Sequence, residues 1–270
     1  MKLCDWLGVS KSGYYDWLKR EESKRSIDDK RLLKRITKIY WESEGRYGSP
    51  RVYKALKKQG FSVGEKRVAR LMQAAGLVGR CYTVVRHSPG NKKFVVAGEN
   101  LLLQMSAPTE PNQIWVGDVT YLKLNGHWRY LATVMDLYSR RIIGWSLSNN
   151  RKASLTMEAM KHAVKKRQPP KGLIFHSDRG IEYKAHEYGN LLDKYGIVQS
   201  FNRAYHCQDN AFMESFFHSL KGELIRGRTF KAEKELRSAL SKYINGFYNS
   251  RRLHSALDYM SPMEYEQRAA

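Results

Sequence analysis

Cysteine is scarce: three residues in 270, Cys4, Cys81 and Cys207, an odd number, widely separated and without a C-x-x-C pair. That spacing excludes a disulfide framework and a sulfur-ligated zinc site, so all three read as reduced thiols. Also missing is any apolar run of the roughly 18 residues needed to span a bilayer. The amino terminus, MKLCDWLGVSKSG, has neither the apolar stretch nor the cleavage site of a signal peptide, so the chain is expected to stay in the cytosol. Acidic charge is in short supply as well. The 48 Lys and Arg outnumber 26 Asp and Glu, which leaves a net charge of +22. Solubility alone does not call for such an excess, and a polyanion is its natural partner, because phosphate backbones bind basic surfaces by releasing condensed counterions.

High charge does not mean disorder here, since 42% hydrophobic and 12% aromatic residues supply enough apolar area to fold. A length of 270 residues accommodates one sizeable core and a smaller satellite. Residues 1–45 read as a basic helical segment, in which Ser10 caps a short helix carrying Tyr14, Trp17 and Leu18, like the second half of a helix-turn-helix. Residues 46–80 are clearer. Ser49 as cap and Pro50 at the first helical position open one helix, which Gly60 ends. A second helix over 64–75 puts Val68, Leu71, Met72 and Ala75 on one face and Lys66, Arg67 and Arg70 off it, and Gly76 stops it. Such a pair fits a helix-turn-helix that reads DNA, or a basic αα-hairpin with no such role. Residues 81–108, aperiodic and punctuated by prolines, read as a linker.

Residues 109–270 form the core. IWVGDVTYLKL and HWRYLATVMDLYSRRIIGWSLS, broken by Asn125-Gly126 and by a turn over 137–140, predict three antiparallel strands. A helix over 153–166, the strand GLIFHSD, the helix AHEYGNLLDKYG and the strand IVQSF follow. AFMESFFHSLKGELI and AEKELRSALSKYINGFYN predict two closing helices. The expected fold is a mixed α/β sheet with helices on both faces.

Within so basic a chain, acids in strands stand out. Asp118 lies inside the apolar strand IWVGDVTY and Asp178 ends LIFHSD, where Gly180 turns the chain. A carboxylate in such a place is costly unless paired or metal-bound, and capping the next turn is the alternative use for either one alone. Glu214 lies on a helix whose Phe212, Phe216 and Leu220 form an apolar stripe, with Asn210 and Lys221 near it on another face. Phosphodiester chemistry with two metal ions needs carboxylates converging on one point, since hard cations prefer oxygen ligands. His176, on the same strand face as Asp178, reads as a supporting hydrogen-bonding residue, and His206 beside Cys207 as part of a loop, because two ligands make no zinc site.

Asp118, Asp178 and Glu214, followed by Lys221 seven positions later, resemble the D-D-E signature of retroviral integrases and insertion-sequence transposases. The surrounding words IWVGDVTYL, MDLYSRRIIGW, HSDRGIEY, QDNAFMESFFHSLKGEL and YNSRRLHSALDYMSPMEY are similar to those of the catalytic second-frame protein (OrfB) of bacterial insertion sequences. RYGSPRVYKALKKQGFSVGEKRVARLM resembles that family's helix-turn-helix region. The resemblance implies a ribonuclease-H-like fold, Mg²⁺ or Mn²⁺ as cofactor, and Asp118, Asp178 and Glu214 as catalytic metal ligands. Water and then a freed 3′-hydroxyl would attack phosphorus in line. Lys221 would contact DNA near the reacting phosphate, Asn210 would support the site, and Asn249, Arg252 and His254 would order the terminal segment or touch DNA. It further implies a multimer that synapses DNA ends in the bacterial cytoplasm, at the nucleoid. The zinc-binding module of retroviral integrases has no counterpart in the His and Cys spacing. The leading helix-turn-helix is a stub at Met1, so recognition of element ends is expected to involve a first-frame partner or fused upstream segment. Other enzymes of this architecture only hydrolyse, and a DNA-binding regulator with an inert triad is the non-enzymatic alternative.

Overall fold

The computed structural model describes residues 4, 6–80, 99–204 and 206–269, and the chain divides into two compact units, Met1–Arg80 and Cys81–Ala270. Cys81 and most of the expected linker, residues 81–98, lie outside the described residues.

In the small unit, α1 (Lys11–Lys19) begins where expected, with the Ser10 side chain accepting a hydrogen bond from the Gly13 N–H at 3.1 Å. Three further helices, α2 (Lys24–Glu42), α3 (Ser49–Lys58) and α4 (Glu65–Ala74), pack together. They bury Leu32 and Ile36 from α2, Val52 and Leu56 from α3, and Val68, Leu71 and Met72 from α4. Two details differ from the sequence expectation. Gly48, not Ser49, occupies the cap of α3, with Ser49 and Pro50 in the first turn, where the missing proline N–H is one of those a helix start leaves unpaired anyway. Ala75 sits exposed at the end of α4 and adds nothing to its apolar face. Gly60 and Gly76, with φ of 83° and 67°, end α3 and α4 in the left-handed region that favours glycine.

The large unit is built on a five-stranded sheet. Strands β1 (Ile114–Leu124), β2 (His127–Asp136) and β3 (Ile142–Ser148) form the antiparallel meander, turned at Asn125-Gly126, where φ is positive at both residues. After α5 (Ala153–Arg167), β4 (Ile174–Ser177) enters parallel to β1. The short α6 (Ile181–Lys184) and α7 (His186–Lys194) lead to β5 (Val198–Phe201), parallel to β4, giving the order β3-β2-β1-β4-β5. Trp115, Ile143 and Phe175 from the strands meet Ala159 and Met160 of α5 and Tyr188 of α7 in a continuous buried core. Helices α8 (Ala211–Leu220), α9 (Glu233–Tyr243) and α10 (Pro262–Ala269) complete the chain, and α8 packs on β1. This is the ribonuclease-H-like mixed sheet flanked by helices, preceded by a small helical region.

The sequence predicts unbroken helices over 211–225 and 232–249, but each opens at its end into a π-helical turn, Lys221–Ile225 and Ile244–Tyr248. The N–H groups of Arg226 and Asn249 bond five residues back, to the carbonyls of Lys221 and Ile244. Such wide turns are uncommon and concentrate at functional sites. No helix among the described residues is long and apolar enough to cross a membrane.

Candidate active site

Two of the sequence-selected acids are set by strand pairing. The parallel register of β1 and β4 ends at Gly117 opposite Ser177, so Asp118 and Asp178 emerge side by side at the next position. Each carboxylate is partly held by its own backbone: Asp118 Oδ1 accepts the Val119 N–H at 2.7 Å and Asp178 Oδ1 the Gly180 N–H at 2.9 Å. Burial, and then the negative charge of Asp178, push the Asp118 carboxyl up to about 7.

A third acid, which the sequence reading passed over, belongs to the same cluster. Glu182 on α6 is 1% exposed, and its Oε1 accepts from Arg151 Nε at 2.8 Å and Nη2 at 2.6 Å. Its Oε2 is buried with no hydrogen-bonding partner among the described residues. A Cβ at Gly180 would stand 2.6 Å from Glu182 Oε1 and 2.9 Å from Asp178 Oδ1, so glycine is what lets both carboxylates share this turn. Thr156 Oγ1 donates to the Glu182 carbonyl at 3.2 Å and ties α6 to α5.

Asn210, at the start of α8, is buried, and its Nδ2 donates to the Gly117 carbonyl at 3.0 Å, which fixes the helix beside Asp118. Its Oδ1 is another buried acceptor without a partner among the described residues. Glu214 follows one turn later and is exposed. Among the described residues no three His, Cys, Asp or Glu side chains lie close enough to hold a metal ion. Asp118 and Asp178 lie close enough for each to feel the other's charge. Lys221, half-buried at the end of α8, stacks its ammonium 4.8 Å from the Tyr121 ring centre. Burial lowers its pKa and the charge of Asp118 works against that shift. The chemistry of the pair suits a hard divalent cation: two carboxylates crowded together, each an oxygen donor.

The remaining sequence-selected residues lie elsewhere. Lys66 is exposed on α4. Arg67 and Arg70, expected off the apolar face of α4, both grip Asp29 of α2, at 2.6 and 2.5 Å. Their hydrogen bonds, that of Arg70 first, hold the Asp29 carboxyl below its ordinary range. Arg252 is buried, with Nη2 2.7 Å from Glu223 and 2.9 Å from Ser219 Oγ, while Tyr243 donates to the same glutamate at 2.8 Å. His254 is buried beside Arg252, with its ring against Tyr248. Of the two roles expected for this segment, ordering is the one these contacts serve. Asn249 acts likewise, accepting from the Ile142 N–H at 2.9 Å and donating to the Ile142 carbonyl at 2.8 Å. His176 is buried and pairs through Nδ1 with Ser200 Oγ at 2.9 Å, and burial lowers its pKa. His206 sits in a loop with Nδ1 2.8 Å from the Ala204 carbonyl. One further strand acid has a purely structural place: Asp136 accepts the N–H groups of Asn112 and Tyr138, and burial pushes its carboxyl up to about 6.

Comparison with known proteins agrees with this architecture. Two integrase core domain families match residues 108–207 and 214–269, and the HTH-like domain family matches residues 27–83. The chain is 36% identical to a 31 kDa protein of insertion element IS600 from Shigella sonnei, covering 98% of each. It is also 36% identical to the transposase InsF of IS3A from Escherichia coli K12, covering 98% of this chain and 93% of that one. Among solved structures, a chain of a simian T-cell lymphotropic virus intasome in complex with the PP2A regulatory subunit B56 gamma superposes with a TM-score of 0.51 at 14% identity, over 86% of this chain and 74% of the other, a likeness of fold.

Proposed function

We propose, from the premise that this chain belongs to the IS3-type insertion-sequence transposases, that it cleaves DNA at the ends of a mobile element and joins the freed ends to a target. The observation that carries this reading is the neighbourhood of Asp118, within β1, and Asp178, just past the end of the parallel strand β4, with α8 docked on β1 beside them. Asp118, Asp178 and Glu214 would hold Mg²⁺ or Mn²⁺, with Glu214 joining the pair when ions bind. Bound there, the ions supply activation of the attacking oxygen and stabilisation of the leaving one.

The chain's own groups do the rest. Lys221, within electrostatic reach of Asp118, places a cation where a scissile phosphate would sit. Asn210 keeps α8 against β1, and the Arg151–Glu182 pair props the turn that carries Asp178. In the first step the oxygen of water bonds to phosphorus and the bond to the 3′-oxygen breaks, leaving a 3′-hydroxyl. In the second that hydroxyl oxygen bonds to a target phosphorus and displaces another 3′-oxygen, so phosphodiester bonds are exchanged without outside energy. The small helical unit would recognise element ends through Lys66, Arg67 and Arg70, alone or with a first-frame partner, and synapsis of two ends calls for a homo-multimer.

The test is to incubate the purified protein with labelled end DNA, target DNA and Mg²⁺ and to size the products. Strand-transfer products longer than the substrate are expected. Shortened strands alone would identify a nuclease of the same fold, and uncut but bound DNA an inert regulator.

A further inference from the structure

The face of the sheet that α5 covers does not end where the helix does. Along β1, burial alternates beyond Val119: Thr120, Leu122 and Leu124 are buried, while Tyr121 and Lys123 are exposed. Val119 and Tyr130 still pack against the core, but Tyr121, paired across the strands with Tyr130, is 58% exposed, and Trp128, paired with Lys123, is 50% exposed. The two uncovered rings stand edge to face, 5.2 Å apart. Each carries a cation: Lys221 is 4.8 Å from the Tyr121 ring centre and Lys123 is 5.8 Å from that of Trp128.

This shelf is held in place. The Asn125 side chain at the hairpin tip donates to the Lys231 carbonyl at 2.9 Å, and Arg129 Nε bonds Glu233 at 2.8 Å, so the hairpin is anchored at the start of α9. Large aromatic surfaces left in water on an anchored strand pair are costly unless they meet a partner. The flanking ammonium groups specify its charge. Rings that accept a stacked base, beside cations that accept the phosphates, are the combination by which proteins hold unpaired nucleic-acid strands.

We propose that Tyr121 and Trp128 form a stacking platform for unpaired bases of DNA, with Lys123 and Lys221 taking the adjoining phosphates. The platform rests on the reading of this chain as a DNA-cleaving enzyme, and it adds a preference: strands leaving the reaction centre are bound better when their bases are unpaired. Lys221 links the two places, since it lies against Tyr121 and within reach of the charge on Asp118.

Binding of the full chain, measured by fluorescence anisotropy without Mg²⁺ at fixed ionic strength, decides the matter with three DNAs. One is a blunt duplex, one the same duplex with a short unpaired tail, and the third carries that tail with abasic sugars in place of its bases. Tailed DNA is expected to bind more tightly than the abasic-tailed form, on the order of tenfold for each base stacked. Tyr121→Ala and Trp128→Ala should each remove that difference while leaving the blunt duplex unaffected, and Trp128→Phe should retain most of it. Equal binding of base-bearing and abasic tails by the parent protein would overturn the platform without touching the DNA-binding reading, and needs no variant to fold. So would a difference that survives both alanine substitutions. Failure to bind any of the three DNAs would overturn both.

Discussion

Glu182 carries an uneven load, with one oxygen on Arg151 and the other buried and unpaired within the turn that holds Asp178. Groups that orient metal-binding residues from behind commonly account for tenfold to hundredfold of activity. Glu182→Gln should therefore lower the cleavage rate by about that range while DNA affinity stays near the parent value, as titration of labelled DNA would measure. Unchanged cleavage would reduce Glu182 to a packing residue. Asp136 offers a separate test at the same scale. Its folded carboxyl titrates near 6, above the unfolded value of about 3.9. The folded protein thus holds this proton more tightly, so the contribution to stability is complete below about pH 4 and is lost as pH rises through 6. Asp136→Asn stays neutral throughout. Relative to the parent it should gain on the order of 2 kcal/mol between pH 4 and pH 8, read from urea midpoints. A constant difference over that range would contradict the assignment.

At the scale of elements, α4 ties two of its arginines, one of them exposed, to Asp29 of α2. As major-groove contacts they would each be worth about 1 to 3 kcal/mol of base discrimination. The Arg67→Ala and Arg70→Ala double variant should lose preference for element ends in competition with random duplex, with metal-dependent nicking of random DNA retained. A preference that persisted would assign the pair to holding α2 on α4. The strands, the order of the elements and the helix cores were legible in the sequence, because alternation along β1 and the Asn125-Gly126 turn are local signals. Asp118 and Asp178 were legible for a related reason: a carboxylate in an apolar strand needs an explanation from its immediate neighbours alone. Glu182 was not. It lies four positions after Asp178 on a single helical turn, and its burial depends on Arg151, 31 residues earlier. Asp29 likewise meets Arg67 and Arg70 from 38 and 41 residues away. The π-helical turns after Leu220 and Tyr243 were hidden because their sequences keep the apolar spacing of an ordinary helix.

The whole molecule carries 48 basic and 26 acidic residues, and several of the arginines are spent inside the protein, Arg141 and Arg167 on Glu266 and Arg252 on Glu223. The excess that remains should give DNA binding that weakens steeply with salt, with a logarithmic slope near −0.9 for each phosphate neutralised. A flat dependence would mean that the charge is not a DNA surface. The central claim is that chemistry resides in three carboxylates, two of them already neighbours where the pairing of β1 with β4 ends. Cleavage of labelled end DNA in Mg²⁺ by Asp118→Asn, Asp178→Asn and Glu214→Gln, with DNA affinity measured alongside, tests it most directly. Each variant is expected to bind DNA like the parent and yield no cleaved strand, and cleavage by any one of them at near the parent rate would contradict the assignment.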